Sequence, residues 1–208
     1  MAFPLYCITN RKLYNQPLLE ALESILRRHP AGLILREKDL TEAAYRKLAI
    51  QVLALCRRHG VPCWLHTFAG VARELQPEGL HLPLPVLRNL GPAERQGLPK
   101  QIGASCHSLD DILEAAELGA TCCTFSPVYP SQCKPGVPPK GLVLLQQVCQ
   151  ESPIPVYALG GVTPERAAEL QAAGAAGGVM MSGWLKGEGG RTHHHLLRRW
   201  SPALEKGG

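Results

Sequence analysis

Eight short runs of β-branched and aliphatic residues recur along the chain, and helix-patterned stretches separate them. This alternation constrains the fold more than any other feature. The runs are PLYCITN from Pro4, AGLILREK from Ala31, PCWLHT from Pro62, GLHLP from Gly79, QIGASCH from Gln101, TCCTFSPVY from Thr121, PIPVYALGG from Pro153 and GGVMMSG from Gly177. Between them lie LLEALESILRRH, EAAYRKLAIQVLALCRRHG, DDILEAAELG and PERAAELQAAG, each with apolar residues three and four apart, the spacing of one helix face. Strand alternating with helix predicts a parallel sheet flanked by helices. Eight units of roughly 25 residues predict a single-domain (β/α)8 TIM barrel over 1–208, near the lower end of the usual size. An open doubly wound sheet is the alternative. Against it, no glycine-rich dinucleotide turn follows the first run, since Ile8 to Tyr14 contains no glycine. No domain boundary shows either, because the one long irregular connection, Tyr129 to Gly141, falls between two regular units.

Composition narrows the class. The chain has 208 residues, 45% hydrophobic and 19% charged, which is ordinary for a globular protein. The start MAFPLYCITN has no basic leader, and Pro4 breaks its apolar run, so a cytoplasmic protein is expected. No apolar run approaches the roughly 20 residues of a membrane span. Eight cysteines are scattered through apolar segments with no CxxC, and read as buried free thiols. His193, His194 and His195 cannot all face one ion from consecutive helix positions, and read as exposed polar residues. The net charge of +5 is spread along the chain and aromatics are only 5%. Nucleic-acid binding is therefore weakly supported, and a small anionic ligand fits equally well.

In a barrel of this kind, active groups come from the C-terminal ends of the strands and the loops after them. Side chains alternate along a strand, so Gly103, Ser105 and His107 point to the barrel axis while Ile102, Ala104 and Cys106 meet helices. Ser108 reads as the N-cap of the next helix, with Asp111 as a carboxylate variant of the capping box. On the second strand Ile34, Arg36 and Lys38 share one face, and Leu33, Leu35 and Glu37 the other. Two cations at one mouth favour a bound carboxylate or phosphate between them; an exposed rim pair is the plainer reading. Gly160 and Gly161 after the seventh strand, and Ser182 and Gly183 after the eighth, form a candidate phosphate cradle. Thr163 and Pro164 mark the following helix start. The 129–141 connection is long enough for a lid, with Lys134 as either its cation or a solvated lysine.

LREKDL at 35–40, IGASCHSLDD at 102–111, FSPVYPSQCKPG at 125–136 and the segment from Pro155 to Gly183 together resemble the thiamine phosphate synthase and TenI superfamily. The resemblance spans nearly the whole chain. It implies a (β/α)8 barrel acting on thiazole phosphate chemistry in thiamine biosynthesis. Its synthase branch resembles a Mg²⁺ enzyme, with acids ending the third and fourth strands. Here those strands read Leu65-His66-Thr67 and Leu80-His81-Leu82-Pro83-Leu84, without an acid.

On that ground a TenI-type thiazole tautomerase is expected, an isomerase needing no metal and no cofactor. The resemblance places the acid/base histidine at His107, within His107-Ser108-Leu109. Proton transfer near neutral pH suits an imidazole. Gly160, Gly161, Ser182 and Gly183 would hold the phosphate, and Arg36, Lys38 or Lys134 would meet the substrate carboxylate. His66 and His81 could compete with His107, and Ser105 could orient it. The expected partner is a small phosphorylated thiazole, with no nucleic acid and no membrane; homo-oligomerisation stays open. Two other readings remain: a thiamine phosphate synthase, and a regulator that binds thiazole phosphate without catalysis.

Overall fold

A computed structural model describes residues 3–130 and 136–184. The eight strands are β1 (Leu5–Ile8), β2 (Gly32–Leu35), β3 (Cys63–His66), β4 (Gly79–Pro83), β5 (Gln101–Cys106), β6 (Cys122–Phe125), β7 (Val156–Leu159) and β8 (Gly177–Met180). Each falls within one of the eight apolar runs. All neighbours pair in parallel, and β8 returns to β1, closing a barrel. The helices are α1 (Leu18–Leu26), α2 (Glu42–His59), α3 (Ala69–Leu75), α4 (Leu84–Asn89), α5 (Pro92–Arg95), α6 (Leu109–Glu117), α7 (Gly141–Glu151) and α8 (Ala167–Ala172). The (β/α)8 expectation holds. Among the described residues no helix is long and apolar enough to cross a membrane.

Strand alternation divides the apolar residues in two. Outward-facing Leu33, Leu35, Leu80, Leu82, Ala104, Cys106 and Cys123 join the helices in one core. Tyr6, Ile8, Ile34, Trp64 and Val179 fill the barrel interior as another. Large rings there need small neighbours. A Cβ on Gly79 would lie 2.6 Å from the Trp64 ring, and one on Gly103 would lie 2.7 Å from His81. Interior volume is fixed by close packing, so these two glycines admit the rings opposite them.

The helices start where the backbone's free N–H groups are met. Thr41 caps α2 by accepting from the Ala44 N–H at 3.3 Å, and Gly60 ends it in the left-handed region at φ 64°. Seven described cysteines are free thiols. Burial pushes Cys7 and Cys122 each up to about 12, which makes them inert packing groups rather than nucleophiles.

Candidate active site

At the end of β2 the chain turns around a buried acid. Glu37, 3% exposed, accepts from the Thr9 hydroxyl at 2.7 Å and from the Arg11 N–H at 3.0 and 3.1 Å. The Arg11 guanidinium bridges Glu37 at 3.2 Å and Asp39 at 2.6 Å. Thr9 also accepts the Arg36 backbone N–H at 2.9 Å. The rim is thus braced from β1, with half-buried Arg36 and exposed Lys38 at the strand end. Composition and periodicity did not single out this brace, because its partners lie 26 to 28 residues apart; the one signal was an acid between two cations.

His107 follows β5 on the exposed rim. Its Nδ1 lies 2.8 Å from the Ser126 carbonyl oxygen. A carbonyl only accepts, so Nδ1 carries a hydrogen and Nε2 is left outside this bond. Ser108 caps α6, accepting from the Asp111 N–H at 3.1 Å. The returning bond of Asp111 goes to the His107 N–H, at 2.6 Å, one residue before the capping-box position. Backbone and ring of His107 are therefore both held.

Gly160 and Gly161 follow β7 with φ of 94° and 65°, a region open to glycine. The room a Cβ would need is filled. It would meet Pro127 Cα at 2.9 Å from Gly160, and Tyr129 Cβ at 2.6 Å from Gly161. The Arg166 guanidinium, absent from the sequence reading, donates to the Gly161 carbonyl and stacks 3.9 Å from the Tyr129 ring. Thr163 and Pro164 do begin the next turn, a 3₁₀ segment, but Thr163 makes no side-chain cap bond. Ser182 and Gly183 turn after neighbouring β8, and Gly183 would place a Cβ 3.6 Å from the Val162 carbonyl. The four residues expected to form a phosphate cradle therefore stand after adjacent strands. Lys134 lies outside the described residues, as do His193, His194 and His195.

His66 ends β3 and His81 lies mid-way along β4, 3% and 2% exposed. Burial first, then the neighbouring charges, hold both rings below the usual imidazole range, His81 at about 4. A hard divalent ion wants carboxylate oxygens. This part of the barrel offers neutral imidazoles under the influence of Arg36 and Lys38, and the oxygens of Glu37 are engaged by Thr9 and Arg11. Among the described residues no group of three or more His, Cys, Asp or Glu could hold a metal ion. The residues present do not fit the Mg²⁺ that the synthase resemblance implies. A cleft of about 510 Å³ on the outer flank, between α1 and α2, is lined by Glu20, Glu23 and Arg58. Glu23 and Arg58 pair there at 3.5 Å, and no strand end reaches it.

A family model described as thiamine monophosphate synthase matches residues 5–184. The chain belongs to this family. Thiamine-phosphate synthase of Syntrophomonas wolfei subsp. wolfei is 31% identical over 187 residues, covering 86% of this chain and 87% of its own. The enzyme of the same name from Alcanivorax borkumensis is 32% identical over 173 residues, covering 82% and 80%. Among solved structures, thiamine phosphate pyrophosphorylase from Pyrococcus furiosus superposes with a TM-score of 0.72 over 86% of both chains at 24% identity, which shows the shared fold.

These relatives overturn the expectation of a thiazole tautomerase, and with it the isomerase class: they carry the name thiamine-phosphate synthase. The physical reason for the misreading is local. A strand-end histidine before a capped helix is a structural arrangement that either branch can use, so His107-Ser108-Leu109 does not discriminate between them.

Proposed function

We propose that the protein is a transferase of thiamine biosynthesis that joins a pyrimidine pyrophosphate to thiazole phosphate with release of pyrophosphate. The observation that carries this reading is the family match over residues 5–184, which includes every strand and the turns after β7 and β8. In this scheme the backbone at Gly160 and Gly161, with Ser182 and Gly183, grips the thiazole phosphate. Arg36 and Lys38 meet the negative charge that grows on the departing pyrophosphate. His107, oriented by the Ser126 carbonyl, presents Nε2 as an acceptor at the mouth. No step is routed through a metal, because the strand ends do not fit one.

The test supplies both substrates and measures thiamine phosphate chromatographically, once with Mg²⁺ and once with EDTA. Product formation that falls at least ten-fold in Arg36→Ala supports the transferase. One observation favours a second reading: β3 ends in His66 and β4 in Leu82-Pro83, so neither strand end keeps the acid that the resemblance places there. A protein that binds thiazole phosphate there without turnover would be a carrier or regulator, and binding without product under both conditions is its signature.

A further inference from the structure

His66 and His81 lie in register on neighbouring strands, their rings 13° from parallel with centroids 5.4 Å apart. Their nitrogens are unevenly satisfied. His66 Nδ1 meets Thr67 Oγ1 at 2.6 Å and His81 Nε2 meets Thr124 Oγ1 at 3.3 Å, while His81 Nδ1 is buried without a partner. A core needs no such arrangement, since an unpaired buried polar atom is destabilising and hydrocarbon of the same shape is not.

The surroundings of the pair are one-sided. From the end of β2, Arg36 acts on both rings and Lys38 on His66. From α2, the Tyr45 hydroxyl accepts the His66 N–H at 2.8 Å; Glu37 acts on that tyrosine. From β6 comes Thr124, from β5 Gly103, and from β3 the Trp64 ring. No carboxylate is among the groups that act on either imidazole.

We propose that the His66–His81 pair is a proton-coupled receptor for a polyphosphate group: a pyrophosphate-bearing ligand entering beside Arg36 and Lys38 binds together with a proton taken up by the pair. The imidazolium then supplies countercharge beneath a mouth that does not suit a divalent ion. This rests on the mouth being a site for phosphorylated ligands. Without ligand, burial and two cations keep the rings neutral. A polyanion reverses the sign of the local field and favours the charged form. The orphan Nδ1 of His81 gives the new proton a place to sit.

Calorimetric titration of inorganic pyrophosphate, in EDTA and in buffers of different ionisation enthalpy, counts protons taken up per pyrophosphate bound. The wild type should take up close to one proton more than the His66→Gln/His81→Gln double variant, and its affinity should fall up to about ten-fold per pH unit across the neutral range. Imidazole carbon signals of wild-type protein give the same answer without a variant, by moving to imidazolium positions on pyrophosphate addition. Binding with unmoved signals, or with equal proton counts in wild type and variant, overturns proton coupling and leaves the transferase reading standing. A wild type that binds no pyrophosphate overturns both.

Discussion

The Thr9 hydroxyl donates a 2.7 Å hydrogen bond to Oε1 of Glu37 and accepts the Arg36 N–H at 2.9 Å, so one buried side chain ties an acid to the backbone of the adjacent cation. Removing the acid strands the buried Thr9 hydroxyl and the Arg11 backbone N–H. Glu37→Ala should lower unfolding stability by about 3 kcal/mol, read by urea denaturation. Thr9→Val, which removes hydrogen bonds but keeps the shape, should cost about 1–2 kcal/mol. Pyrophosphate affinity should fall in Thr9→Val, because the Arg36 backbone is no longer held; affinity equal to wild type in a folded Thr9→Val protein would refute the brace.

The glycine pair after β7 makes a steric prediction. In Gly161→Ala a methyl would press on Tyr129 and Pro130 from a backbone at φ 65°. A loss of at least about 1–2 kcal/mol is expected, visible as a lower thermal midpoint, with weaker thiazole phosphate binding. A variant as stable as wild type would mean that the β6–α7 connection does not pack there.

Capping sets a smaller effect. Ser108→Ala removes the acceptor for the Asp111 N–H and should cost about 1 kcal/mol. Asp111→Ala should cost a similar amount and also free the His107 backbone. If activity depends on His107 being held, Asp111→Ala lowers turnover more than Ser108→Ala does at matched stability; equal turnover in the two would argue against it.

Acid should destabilise the fold through the buried imidazoles. His81 sits at about 4 when folded against 6.5 when free. Above pH 6.5 neither state takes a proton and this group leaves stability constant. Between 6.5 and 4 the unfolded chain binds a proton that the fold refuses, so stability falls as pH falls. The loss amounts to about 3 kcal/mol by pH 4, with His66 acting in the same direction. Denaturation curves at pH 7, 5.5 and 4.5 should show this decline, and His81→Gln should flatten it.

Local pattern determined much of the molecule. Alternation placed all eight strands, put Leu33 and Leu35 on the face opposite Arg36, and assigned Ala104 and Cys106 to the helix-facing side, because the faces of a strand follow from backbone geometry alone. Ser108 was legible as a cap for the same reason: its bond spans three residues. The short helices α3, α4 and α5 were not, since α3 and α4 lack side-chain caps, α5 spans a single turn, and packing in the barrel stabilises them more than their own sequence does. Tertiary structure alone decided which residues became partners. Thr9 meets Glu37 across 28 residues, His81 meets Thr124 across 43, and Gly161 is shaped by Tyr129 from the preceding unit. Closing a barrel brings every strand end to one mouth, and that convergence depends on the path of the whole chain, which no window of neighbouring residues contains.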